Sequence, residues 1–181
     1  MDRSKLKLIR TSHDPLRPLL VGGDRRSIAQ SHRARELVEK NPTRVAELAA
    51  LANDDDWLVS QRALDLLEKL SHAHREWVEP HKGVFIGPLA ESDKWEVRLQ
   101  IVRALPLFEW SSADLRRVKT ILRENISHPQ TFVKAWALDS LATFAEKDSK
   151  LIPLLKLALD AFENSQSKAL QARARKIRQR M

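Results

Sequence analysis

The sequence predicts an all-α protein, an α-solenoid of about four to five stacked helix pairs, and three observations carry that expectation. A segment recurs along the chain with a period of about 37 residues, the first sign of a repeat architecture. No window alternates apolar and polar residues as a half-buried strand does. The composition, with 181 residues, 43% apolar, 31% charged and only four glycines, suits a soluble helical domain of this size. Such a chain buries roughly 70% of its unfolded surface and needs no disulfide or metal staple.

Residues 1–23 stand apart as an N-terminal arm, because Pro15, Pro18, Gly22 and Gly23 interrupt any helix. The arm is open to two outcomes: disorder, or packing of Leu6, Leu8, Ile9, Leu16, Leu19 and Leu20 on the first helix pair. The repeat domain takes residues 24–181. It begins with a shortened pair, 26–40 and 42–52, whose apolar set is Leu37, Val38, Val45, Leu48 and Leu51. Three copies of the repeated helix follow. In them Val59, Val97 and Val133 are each followed at +4 by Ala63, Ile101 or Ala137 and at +8 by Leu67, Leu105 or Leu141, which is one face of an α-helix. Trp57 and Trp95 enter two of these helices at the same position, and both are expected to pack between repeats; Trp136 is expected in the core.

Second helices complete the pairs. Ser111-Ser112 can cap a helix carrying Leu115, Val118, Leu122 and Ile126. Asp148 precedes Leu151–Leu159, with Pro153 early enough to be tolerated. The stretch 74–90 breaks the pattern with Pro80, Gly83, Gly87 and Pro88 beside Trp77, His81 and Phe85, where the repeat calls for a plain second helix. Local rules fail at functional or strained sites, so Trp77, His81 and Phe85 are candidate partner-binding residues. The last helix, within 166–181, sets Leu170, Ala174, Ile177 and Met181 on one side as a capping face.

The Asp-x-x-x-Val-Arg pattern of Asp93–Arg98, with Leu105 and the Leu-Ile-Pro-Leu-Leu run at 151–155, resembles HEAT repeats, including the short form of phycobilisome-lyase-like repeat proteins. Coverage is best from about residue 53 to 164. The resemblance implies an armadillo-type α-α superhelix whose second helices line a concave binding surface. On that surface Arg116, Lys119 and Arg123, at i, i+3 and i+7, form a basic strip for an acidic protein segment or a phosphate backbone. The plain alternative is a solvated polar face.

Charge is concentrated at the ends. The chain is +8 overall, but residues 1–26 hold seven basic and three acidic residues, and 165–181 hold six basic and no acidic ones. The body between them is close to neutral, unlike a groove built for a duplex. Any nucleic-acid binding is therefore expected at the tails, through Lys168, Arg173, Arg175, Lys176, Arg178 and Arg180; the same residues also serve to keep a terminal helix soluble.

Catalytic constellations are absent from the sequence. There is no cysteine, no nucleophile elbow and no glycine-rich phosphate loop. His74 and His81 lie two helical turns apart, too far to chelate one ion. The iron-dependent branch of HEAT-like proteins uses His-Glu dipeptides, and none occurs here. Trp95-Glu96-Val97-Arg98 is similar to the Trp-x-x-Arg start of alkylpurine DNA glycosylases, but the carboxylate cluster of that family is replaced by Trp57-Leu58-Val59-Ser60-Gln61, and Arg98 reads as an ordinary repeat arginine. The expectation is a non-enzymatic scaffold or adaptor with a protein partner, without metal, cofactor or small-molecule substrate. The second expectation is sequence-independent nucleic-acid binding by the basic ends, and the third, ranked below it, is a DNA glycosylase-like HEAT enzyme. The missing cysteines, the lack of a membrane-length apolar run and the lack of a signal-peptide core point to the cytoplasm.

Overall fold

A computed structural model describes residues 15–181, all helix and connecting turns with no strand among them. The predicted arm therefore falls mostly outside the described residues, including Leu6, Leu8 and Ile9. Its end is a single turn, α1 (Arg17–Leu20), started by Pro18 and burying Leu16, Leu19 and Leu20 completely. Arg17 clamps the turn through a forked pair of hydrogen bonds to Asp54, at 2.7 and 2.9 Å. The loop that follows is held from below. Arg62, only 2% exposed, donates to the backbone carbonyls of Leu20, Asp24 and Ser27 at 2.5–3.1 Å. Gly23 needs its positive φ of 73° and its missing Cβ, which would sit 2.7 Å from Ser27.

The first pair is α2 (Ser31–Lys40) and α3 (Val45–Leu51), joined by a 3₁₀ turn at Pro42–Arg44. The long repeat helices are α4 (Trp57–Ala73), α6 (Trp95–Ala104) and α8 (Thr131–Lys147), and they start where the recurring segment places them. Asp56 caps α4 by accepting from the Leu58 amide at 2.9 Å. Between α4 and α6 the irregular stretch becomes one turn, α5 (Arg75–Val78), and two 3₁₀ segments at Glu79–Phe85 and Pro88–Glu91. Pro80 lacks a donor and the glycines add no helical preference, so an α-helix cannot run through.

α7 (Ser112–Ile126) is capped by Ser111, which accepts from the Asp114 amide at 3.1 Å. Asp148 caps the 3₁₀ turn Ser149–Leu151 that leads into α9 (Ile152–Glu163), with Pro153 in its first turn. α10 (Lys168–Arg178) is capped by Ser167 and buries Leu170, Ala174 and Ile177; the helix stops before Met181, which is 61% exposed and takes no part in that face.

α4, α6, α8 and α10 form a row, each packed on the next. A second rank, formed by α3, the 75–91 stretch, α7 and α9, packs on that row. The core falls into two clusters. One runs from Leu16 to Leu122 and the other from Leu138 to Ile177, and Phe144 packs against both. No helix of the described residues is long and apolar enough to cross a membrane.

Candidate functional site

The three aromatic-segment candidates separate. Phe85 is fully enclosed, 5.6 Å from the stacked ring of Phe108, so it belongs to the core and not to a contact surface. Trp77 packs partly against that core and stacks on His74 at 3.7 Å, while His81 is half-buried in the 3₁₀ segment. The tighter 3₁₀ winding after Pro80 turns Phe85 inward. Lys82 from this segment lies 5.4 Å over the Trp110 ring and donates to Glu79 and to the Glu109 carbonyl.

On α7 the predicted strip survives as two exposed cations and one committed one. Arg116 and Arg123 are exposed, and neither pairs with a carboxylate among the described residues. Lys119 is paired with Asp148 at 2.6 Å and lines a pocket of about 230 Å³. Phe108, Trp110, Leu115 and Phe144 give this pocket an apolar wall, and the pairs Lys119–Asp148 and Lys147–Glu109 stand at its rim. Lys119 and the Lys150 amide hold the Asp148 carboxyl below the usual range, and Lys147 does the same for Glu109. Trp110 is fixed by donation from Nε1 to the Leu105 carbonyl at 2.8 Å.

The six basic residues of 165–181, five on α10 and Arg180 just beyond it, also divide. Arg173 binds Asp139, Arg178 binds Asp160 and Glu163, and Arg180 approaches Asp139 at 3.9 Å. Lys168, Arg175 and Lys176 are exposed and make no ion pair with a described residue. The acidic partners come from α8 and α9. Burial pushes the Asp139 carboxyl above its ordinary range despite the pull of Arg173, Arg180 and Lys176 around it.

The outer face of the α4–α6–α8–α10 row holds residues that the sequence reading assigned elsewhere or passed over. Trp57, Trp95 and Trp136 are half-buried and stand outside both core clusters, so Trp136 is not a core residue. Lys94 lies 6.0 Å over Trp57, and Arg25 lies 5.9 Å over Trp95. Trp95 faces Phe132 across α6 and α8, with ring centroids 6.3 Å apart and planes 21° from parallel. Phe132 is 64% exposed. One turn further along α8, Trp136 is flanked by Arg103 at 5.1 Å and Arg173 at 5.2 Å. Arg103 pairs in turn with Glu68, 1% exposed, which also binds His72 and keeps one oxygen without a partner. Arg25 is paired with Glu96 at 3.0 Å.

A readable signal for this face was the repeat spacing. Side-chain contacts recur at separations of 34 to 38 residues, one repeat period, as in Arg173–Asp139, Ser140–Val102 and Arg17–Asp54. Aligning the copies therefore lists neighbours as well as equivalents. Arg98 is half-buried, and its Nε donates to the Ser92 carbonyl at 2.7 Å, fixing the turn before α6.

No family model matches the sequence, and no curated protein matches it. Among solved structures the chain is similar to an engineered protein, a crystal structure from the Northeast Structural Genomics Consortium, at 18% identity and a TM-score of 0.62. The match covers 90% of this chain and 76% of that one. At this identity the likeness concerns the fold alone.

Proposed function

We propose that the chain is a HEAT-like α-solenoid that works without catalysis, as a cytoplasmic scaffold holding a protein partner on its second rank of helices. The observation that carries this reading is on α7. Arg116 and Arg123 stand exposed and unpaired among the described residues, one turn to either side of Lys119 on α7, and Lys119 itself lines a pocket with walls of Phe108, Trp110 and Phe144. An acidic segment that inserts one large apolar side chain would meet both features, with charge steering the encounter and the apolar wall holding the complex. Helices that pack only on their neighbours in a row support an extended binding surface of this kind.

Affinity capture with the full chain and with an Arg116→Glu, Arg123→Glu double variant, followed by quantitative mass spectrometry, tests the reading. Both positions are exposed, so equal melting curves are expected. A protein retained by the parent and depleted about tenfold by the variant, the equivalent of about 1.4 kcal/mol, supports it. Identical captures from both, or none from either, reject it.

A further inference from the structure

The two basic ends of the chain meet one aromatic face. Arg25, at the close of the basic N-terminal segment, reaches Trp95, and Arg173, in the basic C-terminal helix, reaches Trp136, with Phe132 exposed between them. Contacts link Arg25 to Trp95 and Trp95 to Phe132, and Arg173 to Trp136, which follows Phe132 by one helical turn on α8, so the face crosses α6, α8 and α10. From this juxtaposition we propose that the outer face of the helix row binds single-stranded nucleic acid, a role beyond the protein-scaffold reading and on the other rank of helices.

Three features point to that ligand. The Trp95 and Phe132 rings stack within 21° of parallel with centroids 6.3 Å apart, and Phe132, being exposed, offers a platform on which a further flat ring can stack. Phosphates then find cations at both ends of the row. At one end Asp139 is surrounded by Arg173, Lys176 and Arg180, a surplus of cations over carboxylates; at the other are Arg25 and the exposed Arg26. The carboxylates of this face, Glu68, Asp93, Glu96 and Asp139, are each already engaged by a cation, and Asp65 is paired with Lys69. They leave Lys176 uncommitted. Aromatic platforms beside a basic track are the means by which proteins hold single strands without reading sequence. A duplex keeps its bases stacked inside and offers nothing to Phe132.

The test is fluorescence anisotropy of a labelled oligothymidine of about 12 nucleotides with the full chain, from about 50 to about 200 mM salt. Binding is expected to weaken steeply with salt. Phe132→Ala should weaken it about tenfold, the loss of one stacked base, and Phe132→Trp should restore it. Lys176→Gln should lower the salt slope by about 0.7. Melting curves check that the variants fold; the exposure of Phe132 and Lys176 makes that the expectation. Three results overturn the proposal: no binding at the lowest salt, equal binding by the parent and Phe132→Ala, or a duplex binding as tightly as the single strand. A labelled polyglutamate that binds in place of the oligonucleotide, and depends on Phe132, would assign the face to an acidic protein instead.

Discussion

Ala29 holds a φ of +48°, the only non-glycine residue in the left-handed region among those described. An L side chain costs about 1 kcal/mol there, so Ala29→Gly is expected to raise stability by up to that amount, read from urea unfolding. His128 sets a second expectation. Its Nδ1 accepts from the Gln130 amide at 3.1 Å, and burial, with Arg98 and Lys134 nearby, holds its pKa below the ordinary value of 6.5. The folded state thus takes up the proton less readily than the unfolded chain. Stability is constant above about pH 6.5 and falls as the pH drops from there towards the lowered value. Melting temperatures taken between about pH 7 and about pH 5 should show a decline that His128→Asn, which keeps an acceptor, reduces. An equal decline in both proteins would place the titration elsewhere.

At the scale of elements, α10 is both charged and structural. Leu170 and Ile177 are buried against α8 and α9, and each contributes about 1.5–3 kcal/mol. Removal of residues 165–181 should therefore cost about 3–6 kcal/mol in urea unfolding, whatever the helix binds. Point changes at Lys168, Arg175 and Lys176 separate charge from packing. The sequence placed this helix within 166–181 and its apolar positions correctly except Met181, because a 3.6-residue period is a local property. The ion pairs of Arg173 and Arg178 were not legible by composition. Their carboxylates lie up to 34 residues back, and net charge counted along a segment ignores neighbours supplied by another helix. The same holds for Phe85, whose helical context failed locally while its burial depended on Phe108.

For the molecule as a whole, the divided core sets the order of opening. The first cluster gathers α1 to α7 around α4, whereas the buried residues of the second come from α8, α9, α10 and the turn before α9, with Ile126 of α7 packed against them. Hydrogen exchange should accordingly release α9 and α10 before α4 and α6. Phe144 touches both clusters, and Phe144→Ala should cost about 2 kcal/mol, less than a full phenylalanine because the ring is half-buried. The variant should also widen the gap in exchange between the two clusters. The repeat period predicted the row of helices because each copy must bury the same face on its neighbour. It did not predict the seam, which depends on how far each side chain reaches.

The clamp around Arg62 bears on how freely this region can change. Its three acceptors are main-chain oxygens, which every residue possesses, so the side chains of Asp24, Arg25 and Arg26 do not enter the bond at all. Evolution, or a saturation library, can rewrite positions 25 and 26 while the loop keeps its path, provided Gly22 and Gly23 retain their positive φ and the Asp24 carboxylate still accepts from the backbone amide of residue 26 at 2.8 Å. The chemistry presented beside Trp95 can thus diverge from one descendant to the next on an unchanged frame.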